Sequence, residues 1–371
     1  MAHPAGDDRD ELAARLALAQ VPGIGGARLR SLLAAFATAR SVFAAPAGAL
    51  AAVPGIGRGT ASAIRASGPE SGARVLDELA RLGAQALLPE DSAFPALLRE
   101  IPEPPTALFV WGNLALLARP SAALVGSRDH SAYGAAAARL LAAGVASAGA
   151  VVVSGMARGI DAVAQQTALE VSDASVGVLG NGFGVVYPAA NRALYERMVA
   201  GGCLVTELPP GERPRVHTFP RRNRLISGLA LATVVVEARP GSGALITADT
   251  ALEQGRSVLA VPGPITSETS LGCNRLIQQG AKPCLAPGDI LEEMGVPNAP
   301  AAPPAPRRAL PSDLSPVQCA LWDALAATPT HVDALSAAAG TTPGDVLGAL
   351  TDMELRGLVA QGPGMIFRLR Q

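Results

Sequence analysis

The sequence holds a single lysine, Lys282, among its 30 basic residues, so the other 29 are arginines. A Walker A loop needs a glycine directly before its lysine, whereas Lys282 follows Ala281, which excludes a P-loop nucleotidase. Cysteines number four and none stands in CxxC spacing, while the four histidines are scattered. Neither a zinc site nor a disulfide framework is expected, and a reducing, cytoplasmic setting fits best. Net charge is −1, so no chain-wide field attracts nucleic acid and any basic surface must be local. Apolar residues make up 49% and charged residues 16%, which excludes global disorder. Long membrane-type runs are lacking too. Residues 140–157 carry no charge, but Gly144, Gly149 and Gly155 interrupt them and their second half is β-branched. They read as a helix end followed by a buried strand, and no membrane is required. The start, MAHPAGDDRDE, has no apolar h-region, so no signal peptide is expected.

A chain of 371 residues exceeds what one core usually serves, so two or three domains are expected. An internal repeat opens it: VPGIG occurs at 21–25 and again at 53–57, each time between apolar helical patterns. This is helix–hairpin–helix patterning, in which glycines permit a tight turn and the second helix presents backbone N–H groups. Such a pair can hold a DNA phosphate or serve only as a packing module. The glycine turn alone accounts for the motif, so the packing role is preferred. A Pro-rich joint spans 93–112. From Ala122 onward, short β-branched runs alternate with helical segments, which implies a parallel sheet covered on both faces. Residues 296–316 form a Pro/Ala linker, expected to be extended and mobile. The last segment reads as three short helices and a hairpin about a Gly-Pro-Gly turn, a winged helix. Its candidate recognition helix carries Asp345, Asp352 and Glu354 against Arg356 alone, so contact with protein is preferred to reading a DNA groove. The expected boundaries are 1–90, 91–296, 297–316 and 317–371.

In an open parallel sheet, ligands bind beyond the carboxyl ends of the strands. Those ends read Gly126-Ser127-Arg128, Ser154-Gly155, Gly180-Asn181-Gly182, Glu207, Glu237 and Pro262-Gly263. The loops SGMARGID (154–161) and RPGSGALITA (239–248) each place small residues before a helix, a natural anion site. Asp161 and Asp249 read as caps or structural hydrogen-bond partners, and Glu207 and Glu237 as partners of nearby arginines. The strongest signal is TFPRRNRLISGL (218–229). Arg213, Arg215, Arg221, Arg222 and Arg224 fall within twelve residues with no acid among them. Too few acids lie nearby in sequence to neutralise them, so an extended anion is expected, a phosphate backbone rather than a mononucleotide. Phe219 beside them either stacks on a base or staples its helix to the core.

These motifs, taken together and in order, resemble the DprA (Smf) family of DNA-processing proteins over about residues 95–295. The matching stretches are ALVGSRDHSAYG, VVVSGMARGIDAVA, FPRRNRLISGL, VVVEARPGSGALITADTALEQGRSVLAVPG and LGCNRLIQQGAKP. The resemblance implies an α/β protein with an extended Rossmann-like parallel sheet, an N-terminal all-α helix–hairpin–helix (SAM-like) domain and a C-terminal winged helix. It implies a non-enzymatic protein without cofactor or metal that binds and shields single-stranded DNA. It further implies help in loading RecA recombinase during natural transformation, and a homodimer formed through the sheet domain. Carried over by position, the DNA-binding residues would be Gly126, Ser127, Arg128, Ser154, Gly155, Arg158 and Gly159. Phe219, Arg221, Arg222, Asn223, Arg224, Ser242 and Gly243 complete that set. One departure is VTELPPG (205–211) where relatives often have LSEYPPG. The alternative is a nucleotide-cleaving enzyme of the phosphoribohydrolase type, whose PGGxGTxxE loop is matched here only by PGSGALIT, without the glutamate.

Overall fold

A computed structural model describes residues 6–297, 314–325, 330–362 and 364–369. The chain forms two compact units, Met1–Ala299 and Pro300–Gln371. Residues 298–313 of the expected linker lie outside the described residues.

The larger unit is built on nine strands: β1 (Gln85–Leu87), β2 (Leu108–Gly112), β3 (Ser121–Val125), β4 (Val151–Ser154), β5 (Ser175–Val178), β6 (Cys203–Thr206), β7 (Ala232–Val235), β8 (Ser257–Ala260) and β9 (Lys282–Pro283). They run β1-β2-β6-β5-β4-β3-β7-β8-β9 across the sheet. From β6 to β9 all neighbours are parallel. Val151–Val153, Val176, Val178, Val234 and Val235 are all buried, as β-branched side chains must be where helices cover both faces. Successive crossovers from β3 move toward β6, and those from β7 move toward β9. The sheet is therefore doubly wound, and the chain reverses direction between the adjacent strands β3 and β7.

One feature differs from the sequence reading. The Pro-rich stretch ends in β2, which pairs antiparallel with β6 (Val110 opposite Val205) and with β1. The parallel sheet thus carries an antiparallel hairpin at one edge. Few residues separate those strands from prolines, so their alternation was too short to stand out. The uncharged stretch 140–157 is the end of helix Ala132–Ser147 followed by β4, as its composition implied. No helix among the described residues is long and apolar enough to cross a membrane.

The two VPGIG turns adopt the same backbone, with Gly23 at φ +84° and Gly55 at φ +82°, values that favour glycine. Helices Gly6–Gln20 and Gly26–Phe36 flank the first turn, and Ala47–Ala51 and Arg58–Ala66 flank the second. Helix Gly6–Gln20 packs so closely on helix Glu70–Leu82 that a Cβ at Gly72 would lie 1.8 Å from the Ala13 carbonyl oxygen. Leu16 and Leu79 from this pair share a hydrophobic cluster with Phe109, Leu179, Phe183 and Leu204. The helical module is thereby fixed to the sheet.

The smaller unit has helices Pro316–Leu325, Val332–Ala339 and Pro343–Leu355 and a sheet of β10 (Thr330–His331), β11 (Val359–Gly362) and β12 (Ile366–Leu369). Leu321, Trp322, Leu335, Leu350 and Phe367 form its own core. This is the winged helix that the sequence implied.

Candidate nucleic-acid interface

At the carboxyl ends of β3 and β7 lies a pocket of about 610 Å³, with a second chamber of about 310 Å³ toward β4 and β5. Arg128, Ala157, Tyr187, Phe219 and Arg222 border both chambers. Their wall is helix Thr218–Gly228, the FPRRNR segment. Helical geometry sets residues three and four apart on one face. Phe219, Arg222 and Asn223 accordingly face the pocket, whereas Arg221 and Arg224 face away from it.

Arg222 is buried, and its Nη1 donates to the carbonyl oxygens of Gly155 and Val178. Gly155 is glycine because a Cβ there would lie 2.6 Å from that guanidinium. The buried Asp161 accepts hydrogen bonds from the backbone N–H groups of Gly155 (3.1 Å) and Ala157 (3.4 Å). Burial raises the Asp161 pKa, opposed by the charge of Arg222 and by those N–H donors. Burial lowers the Arg222 pKa to about 10; Asp161 pushes it back up, and Arg128 lowers it further. A buried charge must be matched by an opposite one and by hydrogen bonds, and Asp161 with the two carbonyls supplies both. Asp161 is thus the structural partner that its sequence position implied.

Phe219 is half-buried and stands outside the hydrophobic core clusters. Its ring lies 5.4 Å from that of Tyr187, and the Arg128 guanidinium sits 6.0 Å from its centroid. Space for the ring exists because residue 180 is glycine; a Cβ there would come within 2.8 Å of it. Tyr187 was not singled out in the sequence. As one of only three tyrosines, in the loop after β5, it was a signal that scarcity could have raised.

The remaining residues divide between frame and surface. Gly159 holds φ +83°, and a Cβ would meet the Ser127 carbonyl oxygen at 2.2 Å. The Ile160 N–H donates to that oxygen, and the Ser127 N–H to the Glu237 carbonyl. Gly126 packs between Ile160 and Glu237. The Ser154 hydroxyl is buried and donates to the Leu124 carbonyl oxygen at 2.6 Å, so it frames the sheet edge rather than facing the pocket. Asn223 donates to the Gly243 carbonyl (3.3 Å), and Ser242 caps helix Gly243–Glu253. Gly243 has open space where a Cβ would point. Arg158 is exposed and 3.7 Å from Asp129.

Two expectations need correction. Most of the five arginines are not left without acids. Glu207, at the end of β6, pairs with Arg224 and, at 3.7 Å, with Arg221, while Glu212 pairs with Arg215 at 2.9 Å. The chain folds back after β6, so acids just upstream of the cluster reach it. The arginines therefore do not form one uninterrupted track. Nor does Glu237 pair with an arginine: its carboxylate accepts from the Ser131 N–H (2.8 Å) and the Thr269 hydroxyl (2.6 Å).

Sheet and site together define a doubly wound α/β protein with an arginine-lined, aromatic-edged pocket at its switch point. Residues 85–295 match the family described as DNA recombination-mediator protein A, 300–365 match the DprA winged helix domain, and 16–67 match a SAM-like helix-hairpin-helix tandem. The chain belongs to the DprA/Smf family of recombination mediators. Protein Smf of Escherichia coli is 42% identical over 291 residues, 77% of this chain and 78% of that protein. DNA processing protein DprA of Streptococcus pneumoniae is 42% identical over 203 residues, covering 55% of this chain and 72% of the relative. A crystal structure of the Streptococcus pneumoniae protein superposes with a TM-score of 0.66 at 31% identity, covering 76% of this chain and 97% of the other. A Helicobacter pylori DprA structure, described as showing a single-stranded DNA binding mode, superposes with a TM-score of 0.52 at 26% identity, covering 56% and 94%.

Proposed function

We propose that the chain binds single-stranded DNA in the switch-point pocket, shields it, and helps to load RecA recombinase onto it during natural transformation. The observation that carries this reading is the Phe219 ring standing half-exposed between Tyr187 and the Arg128 guanidinium, above the buried charge of Arg222. An aromatic face beside a cation takes a base of any kind and the phosphate next to it. The residues assigned to this contact are Arg128, Arg158, Phe219 and the backbone about Ser242 and Gly243, with Arg221 on the far face of the same helix, where the strand leaves the pocket. Gly126, Ser127, Ser154, Gly155, Gly159, Arg222 and Asn223 hold them in place, and Arg224 holds Glu207. The Helicobacter pylori relative's stated binding of single-stranded DNA supports the same reading. The protein works as a homodimer in the cytoplasm and turns over no substrate.

The enzyme alternative has less support. Glu237 spends both carboxylate oxygens on the Ser131 N–H and the Thr269 hydroxyl, and the buried Asp161 accepts from two backbone N–H groups through Oδ2, so both acids serve the frame of the pocket. Fluorescence anisotropy with a single strand and its duplex tests the proposal. Binding tighter to the single strand is expected, with no consumption of ATP or nucleoside monophosphates. Equal affinity for both at moderate salt would sink it.

A further inference from the structure

A larger cavity than the switch-point pocket lies elsewhere. A groove of about 810 Å³ runs between the first VPGIG turn and the far side of helix Thr218–Gly228. Arg28 and Arg30 line one wall, and Arg221 and Arg224 the other. Three acids also line it. Glu207 is matched by Arg221 and Arg224, and Glu212 by Arg215, which leaves Glu103 at the rim. Arg28 donates to the Gly23 carbonyl oxygen, which carries no charge to offset its own. Arg30 folds back over the start of its helix, with Nη1 3.3 Å from where a Cβ of Gly26 would stand. Neither arginine pairs with a carboxylate among the described contacts. Helix Gly26–Phe36 has neither a side-chain cap nor an acid in its first turn, so nothing there competes for an anion.

We infer that this groove is a second phosphate-binding site, in which the backbone of a single strand leaving the switch-point pocket is held by Arg28, Arg30 and Arg221. The inference rests on the DNA-binding reading above. One helix separates the two sites, its pocket face carrying Phe219 and Arg222 and its groove face Arg221 and Arg224. A strand crossing that wall, about 10–12 Å thick with its side chains, meets the exposed Arg221 first. The preference for a mere packing role for the repeat is thereby revised for its first copy only. The second turn borders neither the pocket nor the groove, although Arg58 follows it as Arg28 follows the first. Sequence symmetry is broken by docking.

The test compares single strands of about five and about twenty nucleotides, the first near the lower end and the second beyond the roughly 4–16 nucleotides that one binding module takes. For the long strand, Arg28→Ala/Arg30→Ala should lower the log–log salt slope by about 1.4, two contacts at about 0.7 each. Between 50 and 200 mM salt the wild type should then lose roughly sevenfold more affinity than the variant. The short strand should bind both proteins alike. Arg28→Lys/Arg30→Lys should restore the slope, and Arg58→Ala should leave it unchanged. Arg30→Ala alone keeps the test open if loss of the Arg28–Gly23 bond unfolds the turn. An unchanged slope with the long strand, while Arg128→Ala still weakens both strands, overturns the groove and leaves the pocket standing. If Arg128→Ala in folded protein weakens neither strand, the pocket reading fails and the groove falls with it.

Discussion

Helix Thr218–Gly228 and helix Pro343–Leu355 have a similar length and each has a proline in its first turn, yet they treat charge in opposite ways. The first buries Arg222 against two carbonyls, within reach of the opposite charge of Asp161, and directs its other arginines to Glu207. The second exposes its acids: Asp345 accepts from the Thr342 hydroxyl at 2.6 Å, and Asp352 from the Gln318 amide at 2.7 Å. The first stands at a cavity large enough for a nucleotide, and there part of the arginine content is scaffold. The difference teaches that a run of like charges on a helix is not one surface. Its members are distributed by the 100° step between neighbours and by whichever acids the fold returns to them.

The sharpest way to break this comparison is Arg222→Ala. Removing the guanidinium leaves Asp161 buried without its opposite charge and two carbonyls without a donor, a loss of about 3–5 kcal/mol. The melting temperature should fall on the order of 10 °C, given roughly 2–4 °C per kcal/mol in domains of 150–250 residues. A melt within a degree or two of wild type would mean that Arg222 is held for a ligand and not for the fold.

Phe219→Ala comes next. If a base stacks on the exposed side of the ring, affinity for single strands should drop by about 1–3 kcal/mol with little change in salt slope. A core phenylalanine would instead lose about 3–5 kcal/mol of stability. A large loss of stability with affinity intact in the folded fraction would return Phe219 to the core. Arg128→Ala should act through charge, lowering the salt slope by about 0.7 for one phosphate contact. An unchanged slope would leave the pocket without its expected backbone contact.

Much of this arrangement was legible in the sequence. Runs such as AVVVSG and TVVVEA could only be buried strands, and their small terminal residues placed a site at the carboxyl edge, where the pocket lies. What could not be read is direction. Arg221 and Arg222 are neighbours in sequence but stand on opposite sides of a wall, and that depends on which face of their helix is buried. Asp161 lies 61 positions before Arg222, and no local spacing pairs them. Glu207 was foreseen as a partner of arginines, because it is close in sequence; Glu237 was misread because its partners, Ser131 and Thr269, come from distant loops. Gly155 and Gly180 show in the sequence only as small residues at strand ends, whereas their lack of a side chain admits Arg222 and Phe219.

The smallest expected effect sharpens the comparison from the other side. Deleting residues 297–371 removes the winged helix whole, and the Met1–Ala299 unit keeps its own core, so the truncated protein should fold. A helix that enters a groove of DNA approaches phosphates on both sides and needs cations on its exposed face. Helix Pro343–Leu355 presents acids there instead. Arg356, just after it, lies 3.6 Å from Asp352, so its charge is already engaged. Affinity for single strands should therefore stay within about twofold of the full chain, and the salt slope within about 0.7, less than one phosphate contact. Folding is checked by a melt, and binding by anisotropy on the same sample. Loss of binding by a truncated protein that still melts cooperatively would transfer the DNA contact to the winged helix. The contrast between the two helices would then say nothing about where the strand lies.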